Sequence, residues 1–288
     1  MSQIIQQSMD LYPQGVPEAT ALPSGEFLST NREGEVSVVA PDKPTLTVVA
    51  PPKEKRNGSG ILLCPGGGYE RLAMDREGFH VAQRLVQYGI TVFVLKYRVP
   101  SAMGMQDPSI GPLQDAQQAM WLIHSQRARW AIDTSKVGVM GFSAGGHLAA
   151  TLSTWFKKPL FPERGRKHLR PAFQILIYPV ISMEGDITHQ GCRHALLGEN
   201  PTVEKVKGLS VQTQVTTNTP PAYMVHANDD KSVPVANALC FHQALIEKRV
   251  PVQLLLLPKG GHGFGLHHPT DWFANMMEWL TIEGYVDK

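Results

Sequence analysis

Short, almost continuously apolar runs recur along most of the chain. This pattern is typical of β-strands that are buried on both faces of a sheet. Runs of strand length occupy residues 60–65, 90–97, 136–142, 173–181, 222–227 and 252–258. Two earlier runs, at 35–40 and 45–51, are separated by PDKP, which predicts an antiparallel hairpin at a sheet edge.

Segments with helical spacing lie between the strand-like runs. Apolar residues there recur at intervals of about 3.6 positions, which indicates amphipathic helices. Three such stripes are Phe79, Ala82, Leu85 and Val86; Leu113, Ala116, Met120 and Ile123; and Val235, Ala238, Leu239, His242 and Leu245. Because strands and helices alternate, we predict an α/β fold with a mostly parallel eight-stranded sheet, helices on both faces and antiparallel N-terminal edge strands.

The chain shows no internal repeat and no linker that would divide it. Its 288 residues therefore predict one domain, residues 1–288. Residues 1–34 are rich in Pro, Gly, Ser and Thr and have no sustained period, which predicts an extended N-terminal arm. Residues 184–219 are the least regular, and we expect them to lie above the sheet as an insertion that shapes a functional site.

Composition and charge restrict the classes of partner. Hydrophobic residues make up 42% of the chain and charged residues 18%, which is typical of a globular protein. The net charge of +2 gives no electrostatic basis for binding nucleic acid. We interpret the one basic stretch, at 163–170, as a solvated loop.

The sequence shows no sign of export or of a membrane segment. Three cysteines, Cys64, Cys192 and Cys240, do not make a disulfide framework in a chain of this length, which favours a reducing compartment. The N-terminus lacks a basic segment followed by an apolar one, and no apolar run approaches the roughly 20 residues of a membrane helix. We therefore expect a cytoplasmic protein without a membrane partner.

Polar and glycine-rich segments follow four of the predicted strands. They are PGGGY at 65–69, GFSAGG at 141–146, HANDD at 226–230 and KGGHGFG at 259–265. In parallel α/β sheets, ligands bind beyond the carboxyl ends of the strands. The four segments therefore predict one functional site at a single edge of the sheet.

Ser143 stands at the predicted junction between a strand and a helix. It could simply cap the helix, but Gly141 to Gly145 also match G-x-S-x-G, the motif of a nucleophilic serine held in a sharp turn. Such a turn forces the serine towards a positive φ, and side chains two residues before and after it would collide. We therefore predict that Ser143 is a nucleophile.

A serine nucleophile needs a base, and His262 follows the last predicted strand between glycines. We interpret His226 as a packed core residue and His147, one turn into the serine helix, as non-catalytic. His267 and His268 could suggest a metal, but no second cluster with ligand spacing accompanies them, so no metal site is predicted.

The acid that orients the histidine comes between serine and histidine in the chain order of this motif. Asp229 and Asp230 both occupy that position. We favour Asp230, because it stands at the tip of the turn before the next helix. Asp229 is then expected to fix the backbone of that turn.

Backbone N–H groups are needed to stabilise an oxyanion beside the serine. Ala144 supplies one, and the glycines after the third strand-like run are expected to supply the other. We predict Gly67 and Gly68, with Gly66 as an alternative. Tyr69 is predicted to line the substrate pocket, although packing in the core is nearly as consistent with its position.

From about residue 45 to its end, the chain resembles the α/β-hydrolase esterases described as acetylxylan esterase-like or acetyl esterases. The resemblance implies serine esterase activity, often on acetylated carbohydrate, with Ser143, Asp230 and His262 as a triad and the PGGG loop at the oxyanion. Pro65 departs from the wider lipase-type superfamily, in which many members have histidine before the glycines. The matching segments are PTLTVVAPP, CPGGGYERLAMDREGFHVAQRLVQYGI, LQDAQQAMWLIHSQRARWAIDTSKVGVMGFSAGGHLA, PPAYMVHANDDKSVPVANALCFHQAL and KGGHGFGL, with LYPQGVPEA resembling the family's N-terminal arm.

The residues and the resemblance lead to one hypothesis about activity. We expect a serine carboxylesterase, without a cofactor, that removes short acyl groups such as acetyl from small-molecule esters, including acetylated xylo-oligosaccharides. A peptidase and an aryl-formamide hydrolase are alternatives on the same scaffold. A ligand-binding relative without activity is a third alternative, although such proteins typically lose the histidine that His262 represents.

Overall fold

A computed structural model describes residues 4–17, 19, 25–41, 43–100, 105–161 and 168–287. Within these ranges, no helix is both long enough and apolar enough to cross a membrane. The strands are β1 (Ile5–Asp10), β2 (Phe27–Thr30), β3 (Val36–Val39), β4 (Thr45–Ala50), β5 (Gly60–Cys64), β6 (Arg71–Leu72), β7 (Thr91–Lys96), β8 (Val137–Phe142), β9 (Gln174–Ile177), β10 (Ala222–Ala227) and β11 (Val252–Leu257). The helices are α1 (His80–Leu85), α2 (Gly111–Ser125), α3 (Arg127–Trp130), α4 (Ser143–Trp155), α5 (Gln190–Leu197), α6 (Val203–Leu209), α7 (Ala236–Glu247) and α8 (Trp272–Ile282).

Eight of the strands form the main sheet, in the order β1-β4-β7-β5-β8-β9-β10-β11. β4 is antiparallel to both of its neighbours, and all the other neighbouring pairs are parallel. The predicted fold class is therefore confirmed, including the antiparallel strands at the N-terminal edge. Every residue of β5, β8, β9 and β10 is buried, which explains why these strands read as continuous apolar runs.

The predicted hairpin between residues 35–40 and 45–51 is wrong. β3 pairs with β2 and β6 in a separate three-stranded sheet. β4 pairs with β1 on one side and with β7 on the other, so neither of its edges is left for β3. Both β1 and β2 lie in the segment expected to be an extended arm. Their residues are almost all exposed, so no apolar alternation marks them as strands.

Three other segments are organised differently from the sequence expectation or lie outside the described residues. The apolar run at 173–181 predicts a longer strand, but β9 ends at Ile177 because Tyr178 has a φ of 38° and turns the chain. The segment 184–219 was expected to be irregular, and it contains α5 and α6. Of the basic stretch 163–170, residues 163–167 lie outside the described part of the chain.

Candidate active site

Ser143 begins α4 directly after β8, in a turn that only glycine neighbours permit. Its φ is 50°, in the left-handed region, as the motif predicts. A Cβ atom on Gly141 would lie 2.1 Å from the carbonyl oxygen of Gly145, and one on Gly145 would lie 2.1 Å from that of Cys64. The turn presents Ser143, which is 8% exposed, to a cleft that it lines.

His262 is hydrogen-bonded to both Ser143 and Asp230. The Oγ of Ser143 lies 2.8 Å from Nε2 of His262, and Nδ1 of His262 lies 2.7 Å from Oδ2 of Asp230. Because a carboxylate only accepts, Nδ1 donates to Asp230, and Nε2 is left to accept the serine proton. The structure thus brings the three predicted residues together in the order that a serine hydrolase needs.

The carboxylate of Asp230 is buried and accepts hydrogen bonds on both oxygens. Oδ1 accepts from the backbone N–H groups of Ser232 and Val233, both at 2.9 Å. Oδ2 accepts from His262 and lies 3.3 Å from Nε2 of His226. Burial alone would raise the pKa of Asp230, but the hydrogen bonds from His226 and His262 outweigh burial and hold this pKa well below its ordinary value. Asp230 therefore stays ionised at neutral pH.

Asp229 contacts the histidine loop rather than its own turn. Its Oδ1 accepts the backbone N–H of Gly261 at 2.8 Å. The residue next in the chain is His262, so Asp229 fixes the backbone from which the imidazole extends. The two neighbouring aspartates have separate roles: Asp230 binds the ring, and Asp229 binds the loop.

The PGGG loop lies beside Ser143. The N–H of Gly66 donates to Oε2 of Glu77 at 2.8 Å, so this amide is already engaged. Gly67 and Gly68 line the cleft together with Ser143. Ala144 lies in the first turn of α4, where N–H groups have no acceptor within the helix. This geometry leaves Gly67, Gly68 and Ala144 as candidate donors and removes the Gly66 alternative.

Tyr69 does not line the cleft, so the prediction that it lines the substrate pocket is wrong. It packs in the core, which was the alternative interpretation. It is 1% exposed, and its hydroxyl lies 2.8 Å from Nδ1 of His147. Because Nε2 of His147 donates to the carbonyl of Leu209 at 2.8 Å, Nδ1 accepts from Tyr69. Burial lowers the pKa of His147 to about 4, which keeps the ring neutral. His147 therefore has a structural role.

Two of the other candidate histidines are also hydrogen-bonded to backbone carbonyls. His226 is fully buried, and its one Nε2–H is shared between the carbonyl of Val233 at 2.9 Å and Oδ2 of Asp230 at 3.3 Å. His268 bonds through Nε2 to the carbonyl of Lys259 at 2.7 Å. Across the described residues, no three His, Cys, Asp or Glu side chains are grouped so that they could hold a metal ion.

One wall of the cleft was not predicted, because it belongs to the small sheet. The cleft has a volume of about 670 Å³. Arg76 joins this wall to the histidine loop, since Nε donates to Glu35 at 2.6 Å and one terminal nitrogen donates to the carbonyl of Gly263 at 3.2 Å. The wall residues are Ser29, Asn31, Glu35, Val36 and Ser37. The run at 35–40 is predicted as a strand, but its pairing with the exposed strand β2 and with the distant strand β6 leaves no local sequence signal.

His189 is another cleft residue that the sequence analysis did not identify. It lines the cleft from the segment before α5. Its Nδ1 accepts the backbone N–H of Cys192 at 3.0 Å, so it caps that helix. The sequence around such a histidine indicates at most that a helix begins there, and nothing in it shows that the residue faces a cleft.

Comparison with known proteins identifies related chains. The BD-FAE family profile matches residues 46–245. The crystal structure of an acetyl ester-xyloside bifunctional hydrolase from Caldicellulosiruptor lactoaceticus is 34% identical, with a TM-score of 0.82, and the match covers 97% of both chains. A carboxylesterase from Lactobacillus plantarum has the same fold, with a TM-score of 0.73 at 23% identity over 99% of both chains.

Two longer proteins are similar over part of their length. An acetylxylan esterase from Xylanibacter ruminicola is 37% identical over 216 residues, which are 74% of this chain and 42% of that protein. An endo-1,4-beta-xylanase B from Butyrivibrio fibrisolvens is 37% identical over 205 residues, or 70% of this chain and 32% of that protein. The chain thus spans less than half the length of either relative.

The steric requirement at the serine turn gives a stability prediction. Gly145→Ala should lower the free energy of unfolding by about 3 kcal/mol or more, because its Cβ meets backbone oxygens rather than a movable side chain. Gly208→Ala is the matched control: its Cβ would lie 3.9 Å from Trp155 near the end of α6, so stability should be unchanged or slightly higher. Urea unfolding followed by circular dichroism measures both. Equal stability of Gly145→Ala and the unsubstituted protein would contradict the tight turn.

Proposed function

The chain belongs to the BD-FAE family of α/β-hydrolase esterases, and on that premise we propose that it is a serine carboxylesterase acting on short acyl esters. The observation that carries the proposal is the continuous hydrogen-bonded array Ser143–His262–Asp230, whose serine and histidine line a cleft. Its proposed substrates are acetyl esters of xylan-derived sugars. Acetyl ester hydrolysis and xylan chemistry both appear in the names of its relatives.

The reaction proceeds in two halves. In the first, Oγ of Ser143 attacks the ester carbonyl while Nε2 of His262 takes the hydroxyl proton. The imidazolium then gives this proton to the departing sugar oxygen, and the acyl group stays on Ser143. In the second half, His262 takes a proton from water while the water oxygen attacks the acyl carbon. The imidazolium then returns this proton to Oγ of Ser143 as the acyl-serine bond breaks, and the acid product leaves. Asp230 stays charged throughout and stabilises the imidazolium.

The negative charge on the carbonyl oxygen is stabilised by backbone amides. We assign this role to the N–H of Ala144 and to those of Gly67 and Gly68. α4 supports Ala144 because the N-terminus of a helix favours negative charge. The Gly66 amide has no part in it, since it is bonded to Glu77. Removal of a single oxyanion donor typically costs about a hundredfold to a thousandfold in kcat.

The composition of the cleft supports a small acyl group and a polar leaving group. Among the described residues that line it, Val36 and Ala73 are the only ones with purely aliphatic side chains. The others include serine, asparagine, glutamate, arginine and histidine, which can hydrogen-bond sugar hydroxyls. The described lining residues therefore form no long apolar slot that could hold a fatty acyl chain.

A series of acyl esters tests the proposed substrate class. With aryl esters from acetyl to octanoyl, kcat/KM should be highest at acetyl or propionyl, and acetate should be released from acetylated xylo-oligosaccharides. A long apolar slot would instead add up to about 0.8 kcal/mol per methylene, or about fourfold in kcat/KM. Ser143→Ala is the control, and it should remove activity about a thousandfold or more.

Two outcomes of this series would contradict the proposal. A maximum at octanoyl without acetate release would exclude sugar deacetylation but leave the serine mechanism intact. Faster hydrolysis of aminoacyl or formyl-aromatic substrates would favour a peptidase or an aryl-formamide hydrolase instead.

The separate roles of the neighbouring aspartates give a second activity prediction. Asp230→Asn should lower kcat by several orders of magnitude, because an amide at this position can orient the wrong imidazole tautomer. Asp229→Asn keeps an oxygen that can accept the Gly261 amide, so its loss of kcat should be about tenfold or less. Steady-state kinetics on one aryl acetate compares them. A severe loss in Asp229→Asn with a mild loss in Asp230→Asn would reverse the assignment.

A further inference from the structure

One buried carboxylate, Glu77, connects two loops of the site. It belongs to a π-helical turn, Asp75–Phe79, that leads into α1, and it is 5% exposed. Oε2 accepts the N–H of Gly66, which directly precedes the candidate oxyanion glycines. A Cβ on Gly66 would lie 2.5 Å from this oxygen, so the approach requires glycine.

The second oxygen of Glu77 reaches the histidine loop through Tyr178. The tyrosine hydroxyl donates to Oε1 of Glu77 at 2.9 Å and accepts the backbone N–H of Gly265 at 3.1 Å. Its ring also packs edge-on against His262, with 4.9 Å between ring centroids. Tyr178 has a φ of 38°, an uncommon conformation for a residue with a side chain.

With Glu77 as a carboxylate, the direction of every hydrogen bond in this network is determined. Two backbone N–H groups, those of Gly66 and Gly265, can only donate. The Tyr178 oxygen accepts from Gly265, so its proton points to Glu77, which accepts on both oxygens. An amide in place of the carboxylate would turn a donor towards Gly66 or towards Tyr178.

The arrangement is costly for a purely structural contact. No Arg or Lys side chain donates a hydrogen bond to Glu77 within the described part of the chain. Burial raises the pKa of Glu77, against the opposing hydrogen bonds from Tyr178 and Gly66 and the smaller effects of the His262 and Arg76 charges. Burial of a carboxylate without a directly paired cation is unfavourable, and a well-packed neutral side chain would fill the space at lower cost.

We propose that Glu77 is a positioning residue that sets the distance between the oxyanion glycines and His262 by holding the Gly66 and Gly265 amides through its two oxygens and Tyr178. This inference rests on the proposed esterase function. The transition state needs the oxyanion donors and the base together. Glu77 lines the cleft, but its two oxygens are engaged by Gly66 and Tyr178, so substrate binding depends on the other polar residues of the cleft. Loss of the network therefore lowers kcat and leaves KM nearly unchanged.

Two substitutions test the network in the whole 288-residue chain. Glu77→Gln keeps the size of the side chain and removes one acceptor. Tyr178→Phe keeps the ring against His262 and deletes only the hydroxyl, so it carries the test if Glu77→Gln does not fold. Tyr223→Phe is the matched control, because it deletes another buried tyrosine hydroxyl, bonded to Asn275 at 2.8 Å, in the adjacent strand β10 and outside the cleft lining.

The readouts are kcat, KM and melting temperature, with each preparation normalised by endpoint titration of its reactive serine. Glu77→Gln and Tyr178→Phe should each lower kcat about tenfold to a hundredfold, with KM within about threefold. The double variant should be no worse than the more damaged single variant, because both act through one network. Tyr223→Phe should lower only the melting temperature.

The outcomes separate the inference from the function on which it rests. If the folded Glu77 and Tyr178 variants keep kcat within about threefold of an active, Ser143-dependent protein, the positioning role is wrong and the esterase proposal stands. The same conclusion follows if Tyr223→Phe loses as much kcat as Tyr178→Phe. If the unsubstituted protein hydrolyses no ester, or Ser143→Ala stays active, the proposed function itself fails.

Discussion

The close approach of α4 to the end of β5 sets the geometry of the whole site. A Cβ on Gly145 would lie 2.1 Å from the carbonyl oxygen of Cys64 and 2.4 Å from that of Pro65. Because β5 and β8 are adjacent and parallel, this contact brings the PGGG loop against the serine turn. A Cβ on Gly66 would lie 2.9 Å from the Cβ of Ser143. Candidate nucleophile and candidate oxyanion donors therefore come together as one packing unit, at the cost of a positive φ at Ser143.

The parallel register of the next strands supplies the other two groups. β10 and β11 end side by side, with Ala227 opposite Leu257, so the turn carrying Asp230 and the loop carrying His262 emerge at the same edge. β9 lies between β8 and β10 and contributes Tyr178 just beyond its last residue. The sheet thus fixes the starting points of the loops. Buried hydrogen bonds from side chains then hold each loop in its position over the site.

The sequence was sufficient to predict the parallel sheet and the serine, acid and base segments, because those features depend on local patterns. Buried strands are continuously apolar, and the serine turn needs glycines at fixed spacing. The sequence could not predict β1 and β2, because their residues are almost all exposed. The run that forms β3 was predicted as a strand, but not its pairing with β2 and β6 in the small sheet that walls the cleft. Periodicity also does not distinguish a pocket tyrosine from a core one, as Tyr69 illustrates. Glu77 is a single acid just before the helical stripe that begins at Phe79, and only its burial between two loops reveals its contacts.

Covalent trapping of the serine tests the proposed mechanism most directly. A fluorophosphonate should add once per chain, with the adduct mapped by peptide mass spectrometry to Ser143. Among the hydroxyls of the described residues, only this one is hydrogen-bonded to a base held by a buried carboxylate. In His262→Ala, labelling should be slower by about a hundredfold or more, the usual contribution of a general base. An adduct on another residue, or equal labelling rates in the two proteins, would contradict the assignment of Ser143 and His262 as nucleophile and base.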